Sequence, residues 1–212
     1  MSEAAGDLFR NDLLWGRPVL SYNVAAMATP ALGQGTAALV AALEQAAGGP
    51  GLLHLTPSEA LHVSLYAVAP VRESFDKQQY WNAVQPQVHA IVEAWARSSP
   101  PVTLQFTQLR ILPAAVVAVA EHDDAVWRLR QQLAEALTPP PTGAPRYDMI
   151  HMTLARYAKA EDMPPDFATR ASALRPNFHF RIEAVELIRE RVYPALVCDR
   201  LVICPLLSGT AA

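Results

Sequence analysis

The 212-residue sequence predicts an α+β fold in which helices pack outside curved sheets that line a central groove. Three observations carry this expectation. Strand-like runs are separated by helical ones, and the order of those runs repeats once along the chain. Two segments, Leu61-His62-Val63-Ser64-Leu65-Tyr66 and Ile150-His151-Met152-Thr153-Leu154-Ala155-Arg156, also share one pattern: apolar, His, apolar, Ser or Thr, apolar. That alternation is the period of a half-buried strand, so His62 shares a face with Ser64 and His151 with Thr153.

Residues 1–16 read as a polar lead-in, and Arg17 to Ala28, rich in Val, Leu and Tyr, as the first strand, ended by Thr29-Pro30. Thr36 to Ala47 is a helix capped by Thr36, with Leu39, Val40 and Leu43 on one face and Gly48-Gly49-Pro50 as its stop. A loop holding His54 and Pro57 leads to the His62 strand, which Pro70 closes. His54 is followed by Thr56, a third copy of the His-x-Ser/Thr spacing, but Pro57 cannot donate to a central ladder and the alternation stops there.

Ser74 to Arg97 is a long helix with a kink or restart near Pro86, and Ser98-Ser99-Pro100-Pro101 ends the first half. Val102 to Leu112 and Ala114 to Ala120 are strands meeting at Pro113. Asp123 to Leu137 is an amphipathic helix with Val126, Leu129, Leu133 and Leu137 on its inner stripe. The Pro-rich run 138–145 is a connector, or a wall of the cleft, before the His151 strand. A short helix from Pro164 to Leu174 and closing strands Phe178 to Arg189 and Leu196 to Leu206 complete the chain.

Gly48 precedes His62 by 14 residues and Leu137 precedes His151 by 14, which suggests a duplication and a pseudo-two-fold axis bringing the two His face to face. The expected organisation is a single domain over residues 1–212 with lobes at about 17–100 and 101–206.

Composition narrows the function classes. At 51% hydrophobic and 17% charged residues the chain is a compact soluble protein, and a net charge of −3 with pI near 6.1 argues against coating long nucleic acid. No apolar h-region lies within Met1 to Arg17, and the longest apolar run, Ile111 to Ala120, is broken by Pro113, so the expectations are no membrane partner and a cytoplasmic protein. Cys198 and Cys204, six apart on an extended segment, are out of disulfide reach and read as reduced core residues.

Two His with unperturbed pKa near 6.5 suit general acid and base work, one taking a proton while the other gives one. A phosphodiester between them would leave Ser64 and Thr153 to hold the non-bridging oxygens. A metal site is disfavoured, because Glu59 and Asp148 each stand three residues from their His and fall on the opposite face. His122-Asp123-Asp124 is explained by helix capping, and Ser64 lacks the Gly-x-Ser-x-Gly elbow of a serine hydrolase.

The two His-x-Ser/Thr segments resemble the paired signatures of the 2H phosphoesterases, the LigT-like superfamily. The resemblance extends to the order of elements from about Arg17 to Leu206. It implies a bilobal fold, two pseudo-two-fold-related antiparallel sheets lining a groove. The implied activity is metal-independent and cofactor-free, acting on 2′,3′-cyclic phosphates or related phosphodiesters of RNA ends or nucleotides. His62 and His151 match the catalytic His, Ser64 and Thr153 the phosphate-holding hydroxyls, and Arg156 an Arg that helps hold phosphate. Strict alternation places Arg156 on the face away from His151, so it contributes only if the strand twists or ends there. Ala67 stands where an Arg would mirror Arg156.

By the same parity Tyr66 and Tyr157 share the His faces and are candidates to stack a base, with core packing as the plainer role. His54, His89 and His179 are read as having no catalytic duty. The expected partner is a small nucleotide or RNA terminus bound by a monomer. A non-catalytic nucleotide-binding module and a zinc-dependent hydrolase are the rival classes.

Overall fold

The computed structural model describes residues 8–207. Within them nine strands alternate with four helices: β1 (Pro18–Met27), α1 (Pro30–Ala46), β2 (Leu53–Leu55), β3 (His62–Ala69), α2 (Lys77–Ser98), β4 (Val102–Leu112), β5 (Ala115–Ala120), α3 (Asp124–Ala136), β6 (Ile150–Tyr157), α4 (Phe167–Ala173), β7 (Phe178–Ile182), β8 (Ala184–Val192) and β9 (Val197–Pro205). All strands join one curled antiparallel sheet in the order β7-β4-β5-β6-β3-β1-β8-β9, with β2 on the C-terminal end of β6.

Two four-stranded halves meet at the β3–β6 seam, where the register has a single pair, Val63 with Met152. The halves of the sheet are not halves of the chain. β3 takes one edge of β1 and β8 takes the other, so the closing strands β8 and β9 belong with β1 rather than with the residues 101–206 that contain them.

Helices cover one face of the sheet. α2 packs on β1, β3 and β8, α3 on β3, and α4 on β4. Their apolar stripes meet the inward residues of the strands: Trp81 of α2 stacks on Tyr22 of β1 with ring centroids 4.5 Å apart, while Val63, Leu65, Met152 and Leu154 are fully buried. α2 begins at Asp76, whose carboxylate accepts from the Gln79 amide, and α3 at Asp123, which accepts from Val126.

Local departures from the expected elements have simple causes. α1 starts six residues before Thr36, with Pro30 at its first turn; Pro suits that position because its missing N–H has no partner there. Thr36 lies inside the helix and donates its hydroxyl to the Leu32 carbonyl. Gly33, inside the helix, is a contact residue: a Cβ there would sit 2.5 Å from the Ser58 side chain. The His54 loop contains a real strand, β2, with Pro57 just past its end. Cys204 is buried and Cys198 half-buried, both free thiols.

Candidate active site

The antiparallel pairing of Val63 with Met152 sets Ser64 opposite His151 and His62 opposite Thr153. The two His are then diagonal neighbours across the seam, a relation that spaces strand residues about 7–8 Å apart. Val63 and Met152 point into the core, so the flanking residues all turn to the uncovered face. There a cavity of about 210 Å³ is lined by His62, Ser64, His151 and Thr153 together.

Arg156 lines the same cavity, against the strict alternation. The reason is a β-bulge. Along the β5–β6 ladder Val116 faces Ala155 and the adjacent Val117 faces Thr153, so Leu154 is an extra residue on β6. Past it the parity reverses: Ala155 is buried and Arg156 faces the groove. β3 does the same one strand away. Val24 faces Tyr66 and Ala25 faces Ser64, which makes Leu65 the extra residue. Ala67 therefore lines the groove at the position equivalent to Arg156.

The same bulges remove both Tyr candidates. Tyr157 has no exposed surface; it packs between Phe9 and Phe167 and its hydroxyl donates to the Leu112 carbonyl at 3.0 Å. Tyr66 is buried against Tyr147. Neither ring lines the cavity. Residues 138–145 do not line it either, which leaves that run as a connector.

The two His differ in surroundings. His62 Nδ1 lies 2.8 Å from the Ala60 carbonyl, and since a carbonyl only accepts, Nδ1 carries a proton and Nε2 is the free nitrogen. His151 Nδ1 is buried without a hydrogen-bond partner. Burial, with the nearby Arg130, His62 and Arg156, pushes the His151 pKa down to about 4 against a smaller opposing pull from Asp148.

Arg156 is held by a residue of the lead-in. Asp12, whose side chain is fully buried, lies 3.0 Å from Arg156 and 3.1 Å from Arg72, and both guanidinium groups sit over the Tyr193 ring, at 4.8 Å and 5.6 Å. The Arg156 contact is close in charge but poorly aligned, and Arg156 Nε has no hydrogen-bond partner. Asp12 thus holds two cations, of which Arg156 lines the groove and Arg72 does not; the wall also carries the Glu190 carboxylate.

Further polar wall comes from residues with no motif around them, among them Ser21 and Asn23 of β1, Glu190 of β8, and Tyr193. Ser21 donates to Glu190 at 2.6 Å, and Asn23 donates to Ser21 at 3.0 Å. Thr56 also lines the groove, its buried hydroxyl without a partner, because β2 lays His54 opposite Arg156. The third His-x-Thr spacing was the one signal that could have found it. His54 itself stacks on Trp15 at 4.7 Å, outside the cavity lining. Among the described residues no three His, Cys, Asp or Glu side chains cluster as a metal site would need, and no helix is long and apolar enough to cross a membrane.

Comparison with known proteins agrees with this architecture. Residues 29–194 match the family model of the 2′-5′ RNA ligase superfamily. Similar solved structures include TT0787 of Thermus thermophilus, 22% identical with a TM-score of 0.61 over 90% of this chain and 99% of that one. Escherichia coli LigT complexed with phosphate is 13% identical with a TM-score of 0.60 over 90% and 99%. The same protein complexed with 3′-AMP gives a TM-score of 0.55 at 13% identity, over 90% of this chain and 99% of that one. A search of curated proteins returns no match. With a family model spanning most of its length and a sheet of the same build, the chain belongs to the 2′-5′ RNA ligase superfamily, the 2H phosphoesterases.

Proposed function

We propose that this protein is a metal-independent phosphodiesterase that hydrolyses 2′,3′-cyclic phosphates, or related phosphodiester bonds of nucleotides and RNA ends, with His62 and His151 as its acid and base. The observation that carries the reading is the convergence of two imidazoles, two hydroxyls and the Arg156 guanidinium on one small cavity.

The asymmetry between the His supports an assignment of roles. His151, neutral at pH 7, takes the proton of a water as its oxygen attacks phosphorus. His62 can hold a second proton on Nε2 while Nδ1 stays bonded to Ala60, and it gives that proton to the departing ribose oxygen as the P–O bond breaks. Ser64 and Thr153 hydroxyls donate to the non-bridging oxygens, and Arg156 balances their charge. A bound phosphate anion raises the proton affinity of both rings, which strengthens the base where it is used. The product is a phosphomonoester, and the two His have exchanged protonation states.

The test is incubation with 2′,3′-cyclic nucleotides in excess chelator. Turnover should persist, and His62→Ala or His151→Ala should each lower it about 10²–10⁴-fold. Loss of turnover on chelation would point to a zinc-dependent hydrolase, and binding without product to a nucleotide-binding module.

A further inference from the structure

Arg130 of α3 is 3% exposed, and among the described residues no carboxylate forms an ion pair with it, Asp148 acting on it only from beyond ion-pair distance. Its guanidinium lies between two aromatic rings, 4.8 Å from the centroid of Trp127 and 4.1 Å from that of Tyr147. Its hydrogen bonds go to main-chain carbonyls on both sides of the seam. Nε donates to Leu65 at 2.9 Å and Nη2 to Ser64 at 3.1 Å, both on β3, while Nη1 donates to Met149 at 2.9 Å, immediately before β6. Tyr147, stacked on the guanidinium, accepts from the Ala67 amide of β3 at 2.6 Å.

A buried cation without a direct ion-pair partner is costly, and an apolar side chain of similar volume is commonly as stable or more so in such a place. The location explains its presence. The β3–β6 ladder has one register pair, and both strands bulge two residues beyond the pair, so the ladder itself does little to fix the strands that carry the two His. The Arg130 fork spans that gap, with the Ser64 and Leu65 carbonyls at the β3 bulge as its acceptors on one strand and Met149 on the other.

We infer that Arg130, backed by Tyr147, is a positioning residue of the two-His site: it sets the spacing of β3 and β6, and with it the gap between His62 and His151. It touches no substrate and acts through the strands. Its charge also stands behind His151, where it adds to His62 and Arg156 in disfavouring the imidazolium, with Asp148 opposing. The inference rests on the two-His reading above, but its readouts include one that needs no turnover.

The experiment compares Arg130→Met and Arg130→Lys with the wild-type full chain. The readouts are the 15N titration of the His151 ring and the pH dependence of kcat and KM on a 2′,3′-cyclic nucleotide. Arg130→Met removes fork and charge, so the His151 titration moves up from about 4 toward 6.5 and kcat falls about 10- to 100-fold, with KM changed much less. Arg130→Lys keeps the charge and loses the fork, so kcat falls similarly while the His151 titration stays low.

A folded Arg130→Met with the wild-type kcat and an unmoved His151 titration overturns the inference. If Arg130→Met does not fold, Arg130→Lys decides: wild-type kcat there shows that the fork sets nothing. If the wild type turns over no cyclic nucleotide, the proposed reaction fails by itself, and the ring titration still tests the placement of Arg130 behind His151.

Discussion

His151 sits in surroundings far from those of a free side chain, and the consequences are measurable. Its folded-state pKa is below the unfolded value near 6.5, so between about 4 and 6.5 the unfolded chain binds more protons than the folded one. The stability this residue contributes is therefore complete above pH 6.5 and falls as the pH drops toward 4. Denaturant titrations at pH 7.5 and 5 should show less pH dependence in His151→Phe than in the wild type. With His151 as the proposed base, the acidic limb of kcat/KM should extend well below 6.5, since its ring stays neutral there.

Arg156 gives a second prediction at the same scale. Arg156→Gln removes the cation that Asp12 and Tyr193 hold at the rim, and KM for an anionic substrate should rise about tenfold, more at low salt than at high. Of the single residues, the His-x-Ser/Thr pairs were legible because two strands repeat one alternation. Asp12 and Glu190 were not, because tertiary pairing that no local pattern encodes sets the first against Arg156 and the second in the groove; Thr56 left only the third His-x-Thr spacing as a trace.

The bulges at Leu65 and Leu154 are the element that decides which side chains the groove receives. One extra residue in each strand turns Arg156 outward and buries Tyr66 and Tyr157, so a strictly periodic reading errs on all three positions for one reason. The adjacent apolar pairs Leu65-Tyr66 and Leu154-Ala155 are the trace of this in the sequence, where alternation is already broken. Tyr157→Phe should then lower stability by about 1 kcal/mol, through the lost bond to Leu112, with no change in KM. An increase in KM would mean that the ring meets substrate after all. Leu65→Ala, in a fully buried bulge residue, should cost about 2–5 kcal/mol in chemical unfolding.

For the whole molecule, helices, strands and groove were legible from periodicity and turn residues, while the topology was not. The expected cut near residue 100 follows the repeat in the sequence; the sheet instead draws β8 and β9 back to β1. A long-range pairing of this kind depends on which edge is left open, and no local signal reports it. A fragment ending at residue 100 would leave β1 with an open edge and α2 without its β8 contact, and should be unfolded by circular dichroism.

The proposed chemistry requires one phosphate to be held between both imidazoles. Titrating inorganic phosphate into the 15N-His-labelled protein tests it without assuming any reaction. The His62 and His151 ring signals should shift together along one saturation curve, and Thr153→Val should weaken that curve for both. A response from one ring alone, or two different affinities, would contradict a shared site.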